Sequence, residues 1–345
     1  MAHRPFSETI GQTADERQAP RLTDPTIPSE LTSIAAFDVS EGKPTALAEA
    51  WPKPVSPVDY RWLHLDLNAP TTKPWVTSHL PRIAARALLQ NETRPRCERF
   101  EDGLILNLRG VNLNPESDPE DMVSLRMWVT AEAIVTARVR RVWAVDAIRQ
   151  AAEDGMAPAS VGAFLAEIAH GLTERIETVS LALEEQTDEL EDLVAEGYRP
   201  PAGKLNGIRQ AVIKMRRFIN PQREAIAALA ALKDWILTPH ELANLRETAN
   251  RTRRIVEELD AVRDRLSALQ DHIDAERAHA LGRNSYILSV IAAIFLPLGF
   301  LTGLFGVNVG GMPGADNDAA FWILTIASLV SGLLLYLIFK LSKWL

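Results

Sequence analysis

The chain reads as an α+β cytoplasmic domain that continues through a long helical stalk into two C-terminal transmembrane helices. Three observations predict this fold class. Short β-type runs alternate with helix-length segments between about residues 31 and 142, apolar residues recur at helical spacing after residue 161, and two apolar runs, 286–305 and 321–339, stand near the C-terminal end. Apolar residues spaced by two mark strands and those spaced by three or four mark helices, so the early and late parts of the chain follow different architectures. The changes of pattern divide it into a mobile polar tail over 1–30, a mixed α/β domain over 31–160, a helical stalk over 161–285, and a transmembrane hairpin with a short cytoplasmic end over 286–345.

The tail contains Pro5, Pro20, Pro25 and Pro28 and lacks the apolar stretch of a secretory signal. In the mixed domain, 33–39, 61–66, 104–109, 123–130 and 133–139 read as strands, the last two joined through Ala131-Glu132 as a tight hairpin. Residues 76–89 read as one helix. Strand order does not follow from the pattern. Beyond it, helices are expected over 161–196 and 205–231, separated by Pro200-Pro201 and Gly203, which break the spacing.

Thr238-Pro239 opens a further helix, with proline at a first-turn position and Glu241 beside the positive end of the helix dipole. Unbroken as far as Phe305, it would be roughly 100 Å long at about 1.5 Å per residue. Within it Ile255, Leu259, Val262, Leu266, Leu269 and Ile273 alternate at spacings of four and three, the seam by which one helix buries a face against another. That seam fits a neighbour from the same chain or from another subunit.

Each apolar run approaches the roughly 20 residues that a helix needs to cross a bilayer. Unsatisfied peptide groups are excluded from hydrocarbon, so each run should be helical, with the turn between them outside the lipid core or facing protein and water. Arg277 and Arg283 precede the first run and Lys340 and Lys343 follow the second, whereas the turn carries Asp316 and Asp318. The positive-inside tendency then places both termini on the cytoplasmic side of an inner or plasma membrane.

Composition excludes more than it selects. The formal charge of −8 argues against a nucleic-acid partner, which needs a concentrated basic surface. A single cysteine, Cys97, forms neither an internal disulfide nor a cysteine zinc site. No G-x-x-x-x-G-K loop or H-E-x-x-H pair marks an enzyme, and no resident cofactor is expected. His64, His79, His170 and His240 show no ligand spacing, and His272 and His279 flank the acidic face described next.

Ser285, Leu288, Ala292, Leu296, Gly299 and Gly303 form a three-four stripe through the first apolar run, and Gly299 with Gly303 makes the G-x-x-x-G spacing that permits close helix approach. The same register carried backward includes Asp260, Asp264, Asp271 and Asp274. On one helix these acids form a solvated face, and Arg263, Arg265 and Arg277 offset them. Around the axis of several identical helices, each would become a ring of carboxylates that concentrates cations. Gly306-Val307-Asn308 closes the run. A ring of Asn308 amides could hold the water shell of a cation, although capping the helix end is the simpler role.

The two C-terminal runs, Gly306-Val307-Asn308 and the following Val309-Gly310-Gly311-Met312-Pro313-Gly314 resemble the CorA superfamily of metal-ion transporters, in particular its ZntB-like branch. The magnesium-transporting branch typically carries Gly-Met-Asn, from which Val307 departs. The resemblance implies a CorA-like funnel-shaped homopentamer, with a central pore lined by the first transmembrane helix and Asn308 at its external entrance. It also implies divalent cations, foremost zinc, as cargo, and protons as a candidate coupling ion. Neither run nor turn contains the Cys or His of a tight zinc site, so zinc would pass hydrated. A magnesium, cobalt or nickel channel of the same architecture and a membrane-anchored sensor or scaffold are the competing readings.

Overall fold

A computed structural model describes residues 31–47, 58–91, 93–101, 103–201, 203–232, 236–307 and 319–341. The expected tail over 1–30 lies outside them. The chain divides into two compact units, Met1–Ser267 and Ala268–Leu345.

The first unit is built on a seven-stranded sheet. Its strands are β1 (Ser33–Ser40), β2 (Lys43–Ala46), β3 (Tyr60–Asp66), β4 (Arg96–Phe100), β5 (Gly103–Gly110), β6 (Val123–Thr130) and β7 (Ala133–Arg138). They lie in the order β2-β1-β3-β7-β6-β5-β4, and β3 with β7 is the parallel pair among antiparallel neighbours. Successive side chains point to opposite faces of a strand. Accordingly Leu104, Leu106 and Leu108 of β5 enter one apolar core while Ile105 enters another. Both faces are covered, which is why β5 and β7 read as nearly continuous apolar runs.

On one face pack α1 (Thr72–His79) and α2 (Arg82–Leu89), through Trp75, Val76, Leu80, Ala84 and Leu88. The single helix expected over 76–89 is therefore corrected to two. Pro81 supplies no N–H and disfavours helical geometry at the residue before it; Leu80 stands extended at φ −106°, ψ 153°. On the other face pack α3 (Trp143–Glu153), α4 (Val161–Ala195) and α5 (Lys204–Ala230), with Val145, Phe164, Ile168, Leu172 and Ile226 in one core with Trp62 and Leu106.

The next helix, α6 (Pro239–Gly306), begins with a capping box: Thr238 N donates to Glu241 Oε2 at 2.6 Å and Glu241 N donates to Thr238 Oγ1 at 3.3 Å. Glu241 is buried and also accepts from Ser160, the residue that caps α4. Ile255, Leu259, Val262 and Leu266 are buried within this chain, so this stretch of the seam has its partner in the same subunit. Ion pairs run beside it from Arg251 to Glu177 and from Arg265 to Asp188 and Glu191.

Two polar groups inside the sheet are held by geometry. Asp38 and Arg61 face each other across β1 and β3, and the guanidinium grips both carboxylate oxygens, Nε to Oδ1 at 2.5 Å and Nη2 to Oδ2 at 2.6 Å. Both side chains are almost fully buried. His64 Nδ1 lies 2.8 Å from Thr136 Oγ1, which donates to the Leu63 carbonyl, and His64 Nε2 accepts from Arg138 Nε at 3.2 Å. An acceptor at Nε2 places the proton on Nδ1 and keeps the ring neutral. Burial, reinforced by Arg138, pushes the imidazole down to about 3.

Removing one partner of a buried pair strands the other charge. Asp38→Ala is expected to lower unfolding stability by about 3–5 kcal/mol in chemical denaturation, with Arg61→Ala comparable. Because His64 titrates lower in the folded chain than its ordinary value of 6.5, its stabilisation is complete above pH 6.5 and is lost as pH falls toward about 3. The expected loss is about 1.4 kcal/mol per pH unit across that window, and His64→Gln should flatten the pH dependence of the unfolding free energy there.

Candidate functional site

The acidic residues of α6 divide between the two units. In the first, Asp260 is ion-paired to Arg216 of α5 and lies 3.6 Å from Arg263, while Asp264 accepts from Arg263 Nη2 at 2.7 Å. Their field is already partly neutralised by arginine. In the second, Asp271 and Asp274 are exposed, and Asp274 accepts from Gln270 Nε2 at 2.8 Å and pairs with Arg277 at 3.4 Å. A further acidic group was not visible in the sequence: burial and the nearby Glu184 and Glu177 carboxylates push Glu258 above the ordinary carboxyl range. Glu177 and Glu184 stand on α4 and Glu258 on α6, so no local spacing could have announced them.

The second unit consists of the end of α6 and α7 (Ala320–Leu341), and both helices are long and apolar enough to cross a membrane. Their contact is sharply one-sided. Val290 is buried and Ala293, Ile294, Leu298 and Leu301 are half-buried on α6, while Leu324, Ser328, Gly332, Leu335 and Phe339 form the half-buried line on α7. Leu298 Cδ1 lies 3.6 Å from where a Cβ on Gly332 would stand, so the small residue permits the close approach. Thr302 and Thr325 donate to carbonyls one turn back in their own helices, at 2.9 and 2.8 Å, which satisfies both hydroxyls locally.

Ser285, Leu288, Ala292, Leu296, Gly299 and Gly303 are all exposed. At about 100° per residue, the centre of this stripe lies roughly 175° from that of the α7-facing positions. Among the described residues, nothing comes within 4 Å of where a Cβ would stand on Gly299, Gly303 or Gly306. The G-x-x-x-G surface is thus not spent on α7. Helix α6 ends at Gly306 with Val307 exposed beyond it, and Asn308, Asp316 and Asp318 lie outside the described residues.

Among the described residues no group of three or more His, Cys, Asp or Glu is arranged to hold a metal ion. His272 and His279 are exposed, and His272 Nε2 lies 3.7 Å from Glu276. His64 and His79 are buried and bonded to Thr136 and to the Trp75 carbonyl. Cys97 is half-buried, and burial pushes its thiol up to about 12.

A sheet-containing domain, a long helix and two apolar helices able to cross a membrane define the class of protein as one with a membrane-spanning helical hairpin. The family described as CorA-like Mg2+ transporter protein matches residues 58–341, and the chain belongs to that family. A relative from Pectobacterium carotovorum named zinc transport protein ZntB is 37% identical over 288 residues, covering 82% of this chain and 88% of its own. The divalent cation transporter CmaX of Pseudomonas aeruginosa is 34% identical over 296 residues, covering 84% of this chain and 89% of its own. The solved structure of full-length CmaX superposes with a TM-score of 0.78 at 31% identity, over 90% of this chain and 98% of that one.

The opposed faces of α6 generate a direct test. With Cys97 held as a poorly reactive thiol, cysteines introduced one at a time should label according to face. Leu288→Cys, Ala292→Cys and Leu296→Cys are expected to react with a small hydrophilic maleimide in reconstituted protein at least roughly tenfold faster than Ile294→Cys and Leu298→Cys, because only water-facing thiols ionise readily. Equal labelling of both sets would remove the stripe from any aqueous path.

Proposed function

We propose that the chain assembles as a homopentamer in a bacterial-type inner membrane and moves zinc through a central pore lined by the Ser285 to Gly303 face of α6. The observation that carries this reading is that face itself. It is polar or small at Ser285, Ala292, Gly299 and Gly303, points away from α7, and leads to Gly306-Val307-Asn308. Lipid provides no reason for glycine and serine on one line of a helix, whereas close packing around a shared axis does. Exposed Leu288 and Leu296 would form the narrow apolar stretches of such a pore.

The choice of zinc rests on Val307 in the closing motif and on the relative named as a zinc transport protein. Magnesium is the comparison ion because the family's description names it. In this reading the cation enters hydrated at Asn308, passes the α6 stripe and reaches exposed Asp274 and Asp271. Both termini face the cytoplasm, and Asp316 and Asp318 stand on the outer side. The membrane potential favours entry by roughly 2.3 kcal/mol per charge per 100 mV, and an inward proton gradient would add to this if the two fluxes are coupled.

Zinc uptake into proteoliposomes, with and without an inward proton gradient, tests the reading. Zinc flux is expected to exceed magnesium flux and to fall roughly tenfold or more in Asn308→Ala, the scale of losing one placed hydrogen-bonding group. Acceleration by the gradient would establish proton coupling. Magnesium flux without zinc flux would reassign the cargo, and absence of both from a verified oligomer would overturn transport.

A further inference from the structure

Beside the β4 edge of the sheet, wholly within the first unit, lies a cavity of about 600 Å³. Arg94, Arg96, Arg109, Arg217, Asn107 and Phe218 are among the residues that line it. Four guanidinium groups at one opening are unexpected in a chain whose formal charge is −8. They come together from the segment after α2, from β4 and β5, and from α5, so their clustering has no counterpart in sequence spacing.

The arginines have different duties. Arg109 is fixed in place: Nη1 donates to the Met122 carbonyl at 2.7 Å, Nη2 to the Thr93 carbonyl at 2.9 Å, and its guanidinium lies 3.8 Å from the centre of the Phe218 ring. It builds the wall. Arg96 has one carboxylate neighbour, Glu98 at 3.5 Å, and its buried Nε has no hydrogen-bond partner among the described residues. Arg94 and Arg217 are exposed at the opening and form no ion pair among the described residues.

Two buried atoms make this more than a basic patch. Asn107 is only 2% exposed, and its Oδ1 accepts nothing from the described residues. Across the strand from it, Arg126 is 4% exposed; Nη2 donates to the Asn91 carbonyl at 3.3 Å, while Nε is unpartnered. No carboxylate among the described residues is paired with Arg126. A buried guanidinium without a counter-charge is costly, and its field adds to that of the four at the cavity.

We propose that this cavity binds an organic phosphate of nucleotide size. Its volume falls in the range of small-molecule sites, and guanidinium groups match phosphate oxygens in pairs. Arg94, Arg96 and Arg217 take the phosphate oxygens, and Asn107 Oδ1 accepts a hydroxyl or N–H from the organic part. The site is separate from the α6 stripe, and occupancy requires neither a metal nor ion flux.

The full-length protein, purified in detergent with a chelator so that no metal–nucleotide complex forms, should be titrated with ATP, ADP, pyrophosphate, inorganic phosphate, sulfate and adenosine, following the melting temperature and the heat of binding. ATP or ADP is expected to raise the melting temperature and to bind at least roughly tenfold more tightly than inorganic phosphate or adenosine. Arg94→Gln with Arg217→Gln, both at exposed positions, should weaken that binding at least roughly tenfold while leaving the ligand-free melting temperature and oligomeric mass unchanged. Equal binding of pyrophosphate and nucleotide would overturn the organic part of the assignment. Binding of none of them at about 5 mM, or unchanged nucleotide affinity in the double variant, would overturn the site, as would a variant that dissociates into smaller oligomers, because the arginines would then belong to a subunit contact.

Discussion

Hydrocarbon hydrogen-bonds no peptide group, and the whole second unit answers to that constraint. Both apolar segments are helices, and the Ser289, Thr302 and Thr325 hydroxyls turn back on their own backbones. Once the backbone is satisfied, side chains alone decide what each face meets. Helix α7 occupies one face of α6 through Leu298 and Gly332, and the opposite face carries small and polar residues alongside Leu288 and Leu296, with nothing among the described residues near Gly299 or Gly303. A single copy leaves that face without purpose. In the proposed assembly around it, subunit association and the path for cargo would be aspects of one surface.

The first unit solves a different problem with the same physics. Helices cover its sheet on both faces, so any polar side chain pointing from a strand is enclosed and needs a partner. Asp38 and Arg61 supply each other, and His64 stays neutral between Thr136 and Arg138. Arg126 is the departure: it is just as deep in the sheet, yet among the described residues it donates to one backbone carbonyl and its Nε has no partner. A charge left in that condition beside a cavity points to something arriving from solution.

Periodicity alone made much of this architecture legible. The five strands expected from residues 33 to 139 are present because covered strands must be apolar, and the long helix opened at Pro239 because Thr238 and Glu241 carry a capping pattern with a local mechanism. Three elements escaped. Strand β2 is only four residues long and includes Pro44, β4 alternates charge with little burial, and α3 falls between the two patterned regions. The 76–89 segment was read as one helix because its apolar spacing continues across Pro81, whose effect is local. The α6 stripe could be read from residue spacing, whereas its relation to α7 could not, since that depends on which face the returning helix covers. The arginine cavity and the Glu177, Glu184 and Glu258 group were invisible because their members meet only through tertiary packing.

The two edges of the sheet have a consequence for how the chain is made. Strand β2 carries Pro44, which cannot donate to a further strand, and β4 exposes Glu98 and Arg99, charges that a pairing strand would have to desolvate. Every described strand precedes the apolar segments, so a nascent chain can complete its sheet well before the residues that enter the bilayer leave the ribosome. During that interval many copies wait with finished sheets and unfinished anchors. Edges guarded in this way oppose pairing between the sheets of neighbouring chains before the anchors are in place.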